Sequence, residues 1–248
     1  MDEKTLLMFP ESRYVYSVTA AIFQFICNHV LNRKLEGLEN IPSKGPAIIC
    51  PNHQFYKDLG IVGATFWKEG VDLHYFAKKS LFQYGAQIPL RLHSAFPYAR
   101  RRPNQASYNH LEGLLDDNQF VLIFPQATRV KEEIGKARFD VVKKVVLPYE
   151  DERRKREPDF EIPFIPVGLN YDDASELRHW LPWNLGVKVS VGESIYSDKN
   201  IIDFRIYDDD EGEKIKKRDY RSRKDDLAER ILGSLVELSG LPRYKSER

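Results

Sequence analysis

The chain has 248 residues, 42% hydrophobic and 12% aromatic, enough to bury one substantial core and, in the α/β class, to form a single domain. Its 38 basic and 37 acidic side chains leave a formal net charge of +1, which excludes an overall field suited to nucleic acid or to an acidic partner. Cys27 and Cys50 both lie in apolar runs, which suits buried hydrophobes in a reducing compartment better than a disulfide framework.

Asp2 and Glu3 stand where a secretory signal would need positive charge, and no small-residue cleavage site follows an apolar stretch, so export is not expected. Residues 14–31 approach membrane-spanning length but carry Ser17, Thr19, Gln24, Asn28 and His29. Val15, Val18, Ile22, Phe25, Ile26 and Val30 form a helical stripe that fits a helix partly embedded in one leaflet, or one packed on the protein's own core.

The Gly- and Pro-punctuated segment from Gly37 to Pro46 ends that helix and leads into a short buried strand, Ala47 to Cys50. Residues 58–68 carry a helical pattern and Leu73 to Ala77 reads as a strand. Ser80 to Leu92 is an aromatic-rich helix or loop interrupted by Pro89. Residues 104–117 read as helical, Phe120 to Phe124 as a strand stopped by Pro125, and Phe164 to Leu169 and Val187 to Val191 as two further strands. Short apolar strands alternating with helices predict an α/β fold whose central sheet is mostly parallel and flanked by helices. Ser197 to Lys224 is charge-dense and reads as a solvated or mobile excursion, and Asp225 to Leu238 as a closing helix that packs on the sheet.

The most informative stretch is Asn52-His53-Gln54-Phe55-Tyr56-Lys57-Asp58, a histidine just after a strand with a carboxylate five residues later at the start of a helix. In an open α/β sheet the ligand crevice lies at the carboxyl ends of the strands, so the pair is placed for a neutral imidazole to accept a proton while Asp58 fixes its tautomer. Taken alone, the pair also suits an ordinary structural hydrogen bond. Two more loops that follow strands carry arginines, Ala95 to Arg102 and Phe124 to Arg129, and fixed guanidinium groups suit phosphate. Arg101 and Arg102 read better as a solvated rim or a contact to anionic headgroups. No G-x-S-x-G elbow, P-loop, G-x-G-x-x-G or H-E-x-x-H is present, and His29, His74, His93, His110 and His179 lack metal-ligand spacing, so no metal is expected. The basic run Arg153 to Arg156, flanked by acidic residues, reads as a solvated mixed-charge loop.

From Gly37 to Ile195 the sequence resembles the lysophosphatidic acid acyltransferase (PlsC-type, glycerolipid acyltransferase) family. Asn52-His53-x4-Asp58 is similar to the family's N-H-x4-D, and Ala95 to Arg100 resembles its second block. Phe124-Pro-Gln-Ala-Thr-Arg129 resembles F-P-E-G-T-R, and Ile165 to Gly168 the proline-containing fourth block. The resemblance implies catalysis by His53 and Asp58, with Arg100, Gln126, Thr128, Arg129 and Pro166 at the substrate. It implies transfer of a fatty acyl group from acyl-CoA or acyl carrier protein to the hydroxyl of a lysophospholipid, 1-acylglycerol-3-phosphate giving phosphatidic acid, as part of phospholipid biosynthesis. The donor thioester is a substrate, and no cofactor is expected.

Partners implied are the two substrates, a membrane surface and acyl carrier protein, with no nucleic acid. The expected organisation is an interfacial helix over residues 1–33 and an acyltransferase domain over 34–248, held at the cytoplasmic face of a membrane as a peripheral or monotopic protein. Gln126 and Ala127 replace the family's Glu and Gly, Ser94 stands for a frequent Gly and Ala99 for a frequent acid, which leaves acceptor identity open. A non-catalytic lipid-binding relative and a lipid or thioester hydrolase are the alternatives.

Overall fold

The computed structural model describes residues 11–29, 32–82, 87–98, 105–126, 128–129, 132–172, 186–208 and 214–243. Seven strands form one sheet: β1 (Lys34–Glu36), β2 (Ala47–Pro51), β3 (Leu73–Lys78), β4 (Ala95–Tyr98), β5 (Phe120–Leu122), β6 (Phe164–Tyr171) and β7 (Val187–Val191). Their order is β1-β7-β6-β2-β5-β3-β4. The five from β6 to β4 are parallel, β7 runs antiparallel to β6, and β1 follows β7 in parallel. The fold is therefore α/β with a mixed, mostly parallel sheet.

The central strands are continuous apolar runs because helices cover both faces. On one face Ile49, Ile165 and Val167 pack with Cys27 of α1 (Arg13–His29) and with Ile61, Val62 and Phe66 of α2 (Asp58–Lys68). Leu90 of the short α3 (Gln87–Leu92) joins that cluster. On the other face Ile48, Cys50 and Phe164 pack with Leu111 and Leu115 of α4 (Gln105–Asp116) and with Val145, Val146 and Leu147. Those last three belong to a π-turn (Val142–Val146) running into α5 (Leu147–Arg154). The same cluster takes Leu227, Ile231 and Leu235 of α6 (Arg221–Ser239). A Cβ at Gly168 would lie 2.4 Å from the Leu238 carbonyl carbon, so only glycine lets α6 sit this close to β6. Both cysteines are buried, and burial pushes both thiols above their ordinary range.

In α1, Tyr16, Ala20 and Cys27 face inward, and the Tyr16 hydroxyl accepts the Leu73 N–H at 3.0 Å. The outer side carries Tyr14, Val18, Ile22 and Phe25, the last 62% exposed. The helix thus has one apolar face on its own core and a second one facing outward. None of the described helices is long and apolar enough to cross a membrane.

Three sequence expectations need correction. Within the segment 197–224, β8 (Asp203–Asp208) and β9 (Lys214–Asp219) form an antiparallel hairpin, and α6 begins at Arg221. Its charges are partly interior: the buried Arg223 guanidinium contacts Glu150, Asp151 and Ser197, and Lys143 pairs with Asp219 at 2.6 Å. Reciprocal pairing removes the need for water that charge density suggested. The basic run Arg153 to Arg156 begins in the last turn of α5 and is an exposed turn only at Lys155 and Arg156, with Arg153 bonded to Glu157 at 2.9 Å and Arg154 to the Phe160 carbonyl at 2.9 Å. The strand expected over Phe120 to Phe124 ends at Leu122, although the Ile123 N–H still reaches the Ile49 carbonyl at 2.9 Å. In the aromatic-rich stretch Ser80 to Leu92, the described residues form the end of a 3-10 turn (Lys79–Phe82) and α3.

Candidate active site

Where β2 ends, the chain must turn out of the sheet without orphaning its polar groups. Asn52, fully buried, does this by docking on β6. Its Nδ2 donates to the Leu169 carbonyl at 3.0 Å and its Oδ1 accepts the Leu169 N–H at 2.6 Å. His53 follows at the carboxyl edge of the parallel strands, with its ring stacked on Phe124 at 3.9 Å and 21°.

Asp58 opens α2 and is 0% exposed. Its Oδ2 accepts the Gln54 N–H at 2.6 Å and the Phe55 N–H at 2.7 Å, and lies 3.0 Å from Nδ1 of His53. Its Oδ1 accepts the Tyr171 hydroxyl. Two backbone donors, a phenol and an imidazole N–H satisfy the carboxylate, which compensates its burial as an anion. Burial, followed by the Asp58 charge, pushes the Tyr171 phenol well above its ordinary range, so it stays a donor. With Nδ1 committed to Asp58, the imidazole carries its lone pair on Nε2.

His53 lines a cavity of about 490 Å³ at the carboxyl ends of β2, β3, β4 and β5. The cavity reaches both faces of the sheet edge. Leu59, Tyr75, Ala77 and Leu90 wall it on the side covered by α1 and α2, whereas Phe76, Tyr98, Ile123 and Val141 wall it on the side covered by α4 and α6. Lys78, Arg129 and Arg138 contribute three positive charges, and among the described residues no Asp or Glu lines the space.

Of the site residues expected from sequence, Thr128 and Arg129 line this cavity with His53, and the Arg129 guanidinium lies 3.6 Å from the centre of the Tyr56 ring. Gln126 is 2% exposed and does not line it. Its Oε1 accepts the His53 backbone N–H at 3.1 Å and its Nε2 points at the Glu133 carbonyl at 3.5 Å, tying the loop after β5 to the loop after β2. Pro166 sits inside β6 opposite Cys50 and also lies off the cavity wall. Arg100, with Arg101 and Arg102, lies outside the described residues. Sequence reasoning missed Tyr171 and Arg138. Among the described residues no group of three His, Cys, Asp or Glu could hold a metal ion.

Fold and site together define an open α/β protein with a carboxylate-held histidine beside a cationic, apolar-walled cavity. A family model described as Acyltransferase matches residues 32–170, more than half of the sequence, and the chain belongs to that family. It is 31% identical over 103 residues to a 1-acyl-sn-glycerol-3-phosphate acyltransferase of Bacillus subtilis (strain 168), a match covering 41% of this chain and 50% of that relative. The chain thus matches half the length of this curated relative. Among solved structures it is similar to the 1-acyl-sn-glycerophosphate (LPA) acyltransferase PlsC from Thermotoga maritima. There the TM-score is 0.49 at 16% identity, covering 91% of this chain and 78% of that one.

Proposed function

We propose that the protein is an O-acyltransferase that moves a fatty acyl group from a thioester donor, acyl-CoA or acyl carrier protein, to the free hydroxyl of a lysophospholipid, with 1-acylglycerol-3-phosphate as acceptor and phosphatidic acid as product. The observation that carries this reading is the 3.0 Å contact between His53 Nδ1 and Asp58 Oδ2, made at the wall of a cavity that joins apolar surface to three cations. The family match and the named relative support the same chemistry.

In the proposed reaction Nε2 of His53 takes the acceptor's hydroxyl proton as the oxygen attacks the thioester carbonyl carbon. Asp58 stabilises the imidazolium that forms and holds its ring. When the tetrahedral intermediate collapses, the C–S bond breaks and the departing thiolate receives the proton from Nε2. Protons and bonds balance without an acyl-enzyme. Thr128 and Arg129 meet the acceptor's polar end, with Arg100 as the second-block arginine. Gln126 and Pro166 act on the substrate through the backbone they hold.

Supply of the lysophospholipid acceptor from a bilayer fits the outward apolar face of α1, since each methylene transferred from water contributes about 0.8 kcal/mol. The reading proposed for its location is a peripheral or monotopic protein at the cytoplasmic face of a membrane, a contact that the outward face of α1 would supply. The test is transfer from radiolabelled acyl-CoA to 1-acylglycerol-3-phosphate by purified protein. Turnover that falls about 10²- to 10⁴-fold in His53→Ala supports the proposal, and unchanged turnover removes His53 from the mechanism. Free fatty acid formed at the same rate without the lysolipid would identify a hydrolase instead.

A further inference from the structure

Arg138 belongs to none of the motifs that brought His53, Thr128 and Arg129 to notice, yet it lines the same cavity. Its placement is constrained. The Arg138 N–H donates to the Pro125 carbonyl at 2.7 Å, which closes the loop after β5 on itself and sets the Arg138 backbone beside the start of the Phe124 to Arg129 block. The next residue, Phe139, is 1% exposed in the core. Earlier in the same loop, Ile134 is buried and its N–H donates to the Pro242 carbonyl at 2.7 Å. The loop is thus fastened at its neck, at His53 through Gln126, and at the segment following α6.

Two arginines of one fastened loop, Arg129 within it and Arg138 at its neck, therefore line one cavity, with no carboxylate among the described lining residues to neutralise them. Arg129 has a face committed to the Tyr56 ring, which leaves the edge of its fork for a ligand. One fork satisfies two phosphate oxygens and one charge. A terminal phosphomonoester carries about −1.5 to −2 charge and three terminal oxygens, so it leaves a charge and an oxygen for a second guanidinium. A phosphodiester, as in a lysophospholipid with a headgroup, carries one charge and two free oxygens. Lys78 lines the cavity from the end of β3 and offers a point charge rather than a fork.

We infer that Arg138 is a specificity-determining residue, the second guanidinium of a clamp that selects acceptors ending in a phosphomonoester over those whose phosphate continues into a headgroup. This rests on the acyltransfer reading above and names the acceptor class for the same cavity. The side chain is exposed, so its replacement leaves the core intact.

The experiment compares wild type, Arg138→Leu and Arg138→Lys with a fixed acyl-CoA and two acceptors, 1-acylglycerol-3-phosphate and lysophosphatidylcholine. In Arg138→Leu, KM for the monoester acceptor rises about 10- to 100-fold, with kcat and the acyl-CoA KM little changed, and Arg138→Lys falls between. The preference for monoester over diester shrinks by the same factor. An equal effect on both acceptors, a rise in the acyl-CoA KM alone, or no change overturns the inference. Equilibrium binding of the two lysolipids to His53→Ala, with and without Arg138→Leu, reads the clamp without turnover. Monoester binding that depends on Arg138, together with a wild type that transfers no acyl group, would uphold the clamp and sink the proposed reaction. Binding that ignores Arg138 in an active enzyme would do the reverse.

Discussion

The Tyr171 hydroxyl donates to Oδ1 of Asp58 from 113 residues away, leaving Oδ2 to hold His53. The orientation of the proposed base is thus secured from the far end of β6 as well as from its own loop. In Tyr171→Phe a buried carboxylate oxygen loses a donor and the ring's packing stays. We expect a loss of about 1–3 kcal/mol of stability by denaturant titration, together with a lower kcat and an unchanged KM for either substrate. Full stability and rate in this variant would show that the backbone donors alone suffice.

Gln126 holds the His53 N–H from a buried position off the cavity wall. Gln126→Glu keeps an acceptor for that N–H but replaces the amide that points at the Glu133 carbonyl with a second carboxylate oxygen. The expected outcome is a kcat reduced by about 10-fold or more with the acceptor preference unaltered, since a 1.4 kcal/mol misplacement already has that effect. A changed ranking of lysolipid acceptors would instead make this side chain a direct substrate contact.

His74 contacts Glu11 at 3.3 Å in a cluster that also includes Arg91 and His110, and it hydrogen-bonds Gln119. Burial is the largest influence and outweighs the pull of Glu11, so the ring's pKa is lowered from 6.5. The unfolded chain therefore takes up the proton first. The stability gained from a neutral His74 is fully present above 6.5 and is lost as pH falls through the lower folded value. Melting curves should show this loss in wild type and a weaker one in His74→Gln; identical profiles would contradict it.

Ile22 and Phe25 lie on the outward face of α1, away from Tyr16, Ala20 and Cys27. Replacing both with Asp leaves the helix packed on α2 and removes about 1.5–3 kcal/mol per side chain that could enter a bilayer. Flotation with anionic liposomes should drop by more than 10-fold while the far-ultraviolet spectrum is retained. Undiminished flotation would place the membrane contact elsewhere.

Much of this architecture is legible in the sequence, because fully buried parallel strands such as Ala47–Cys50 and Phe164–Leu169 are apolar on both faces and need no partner to be recognised. His53 and Asp58 are legible because their partnership is local, five residues across one strand-to-helix turn. Tyr171 is not, since nothing near it in sequence records the carboxylate it meets. Arg138 looks like any loop arginine until the Pro125 contact folds the loop back. The β8–β9 hairpin and α5 were hidden by charge, which suggests water when Arg223 and Glu150 in fact satisfy each other inside the fold.

Cys50 lies three residues before His53, on the same strand exit, in a protein proposed to work on activated thioesters. A reactive sulfhydryl there would intercept the incoming acyl group and trap the catalyst as its own product. Sealed beneath the sheet's second face and kept from ionising, it is denied that competition, so the alcohol remains the nucleophile that the site serves.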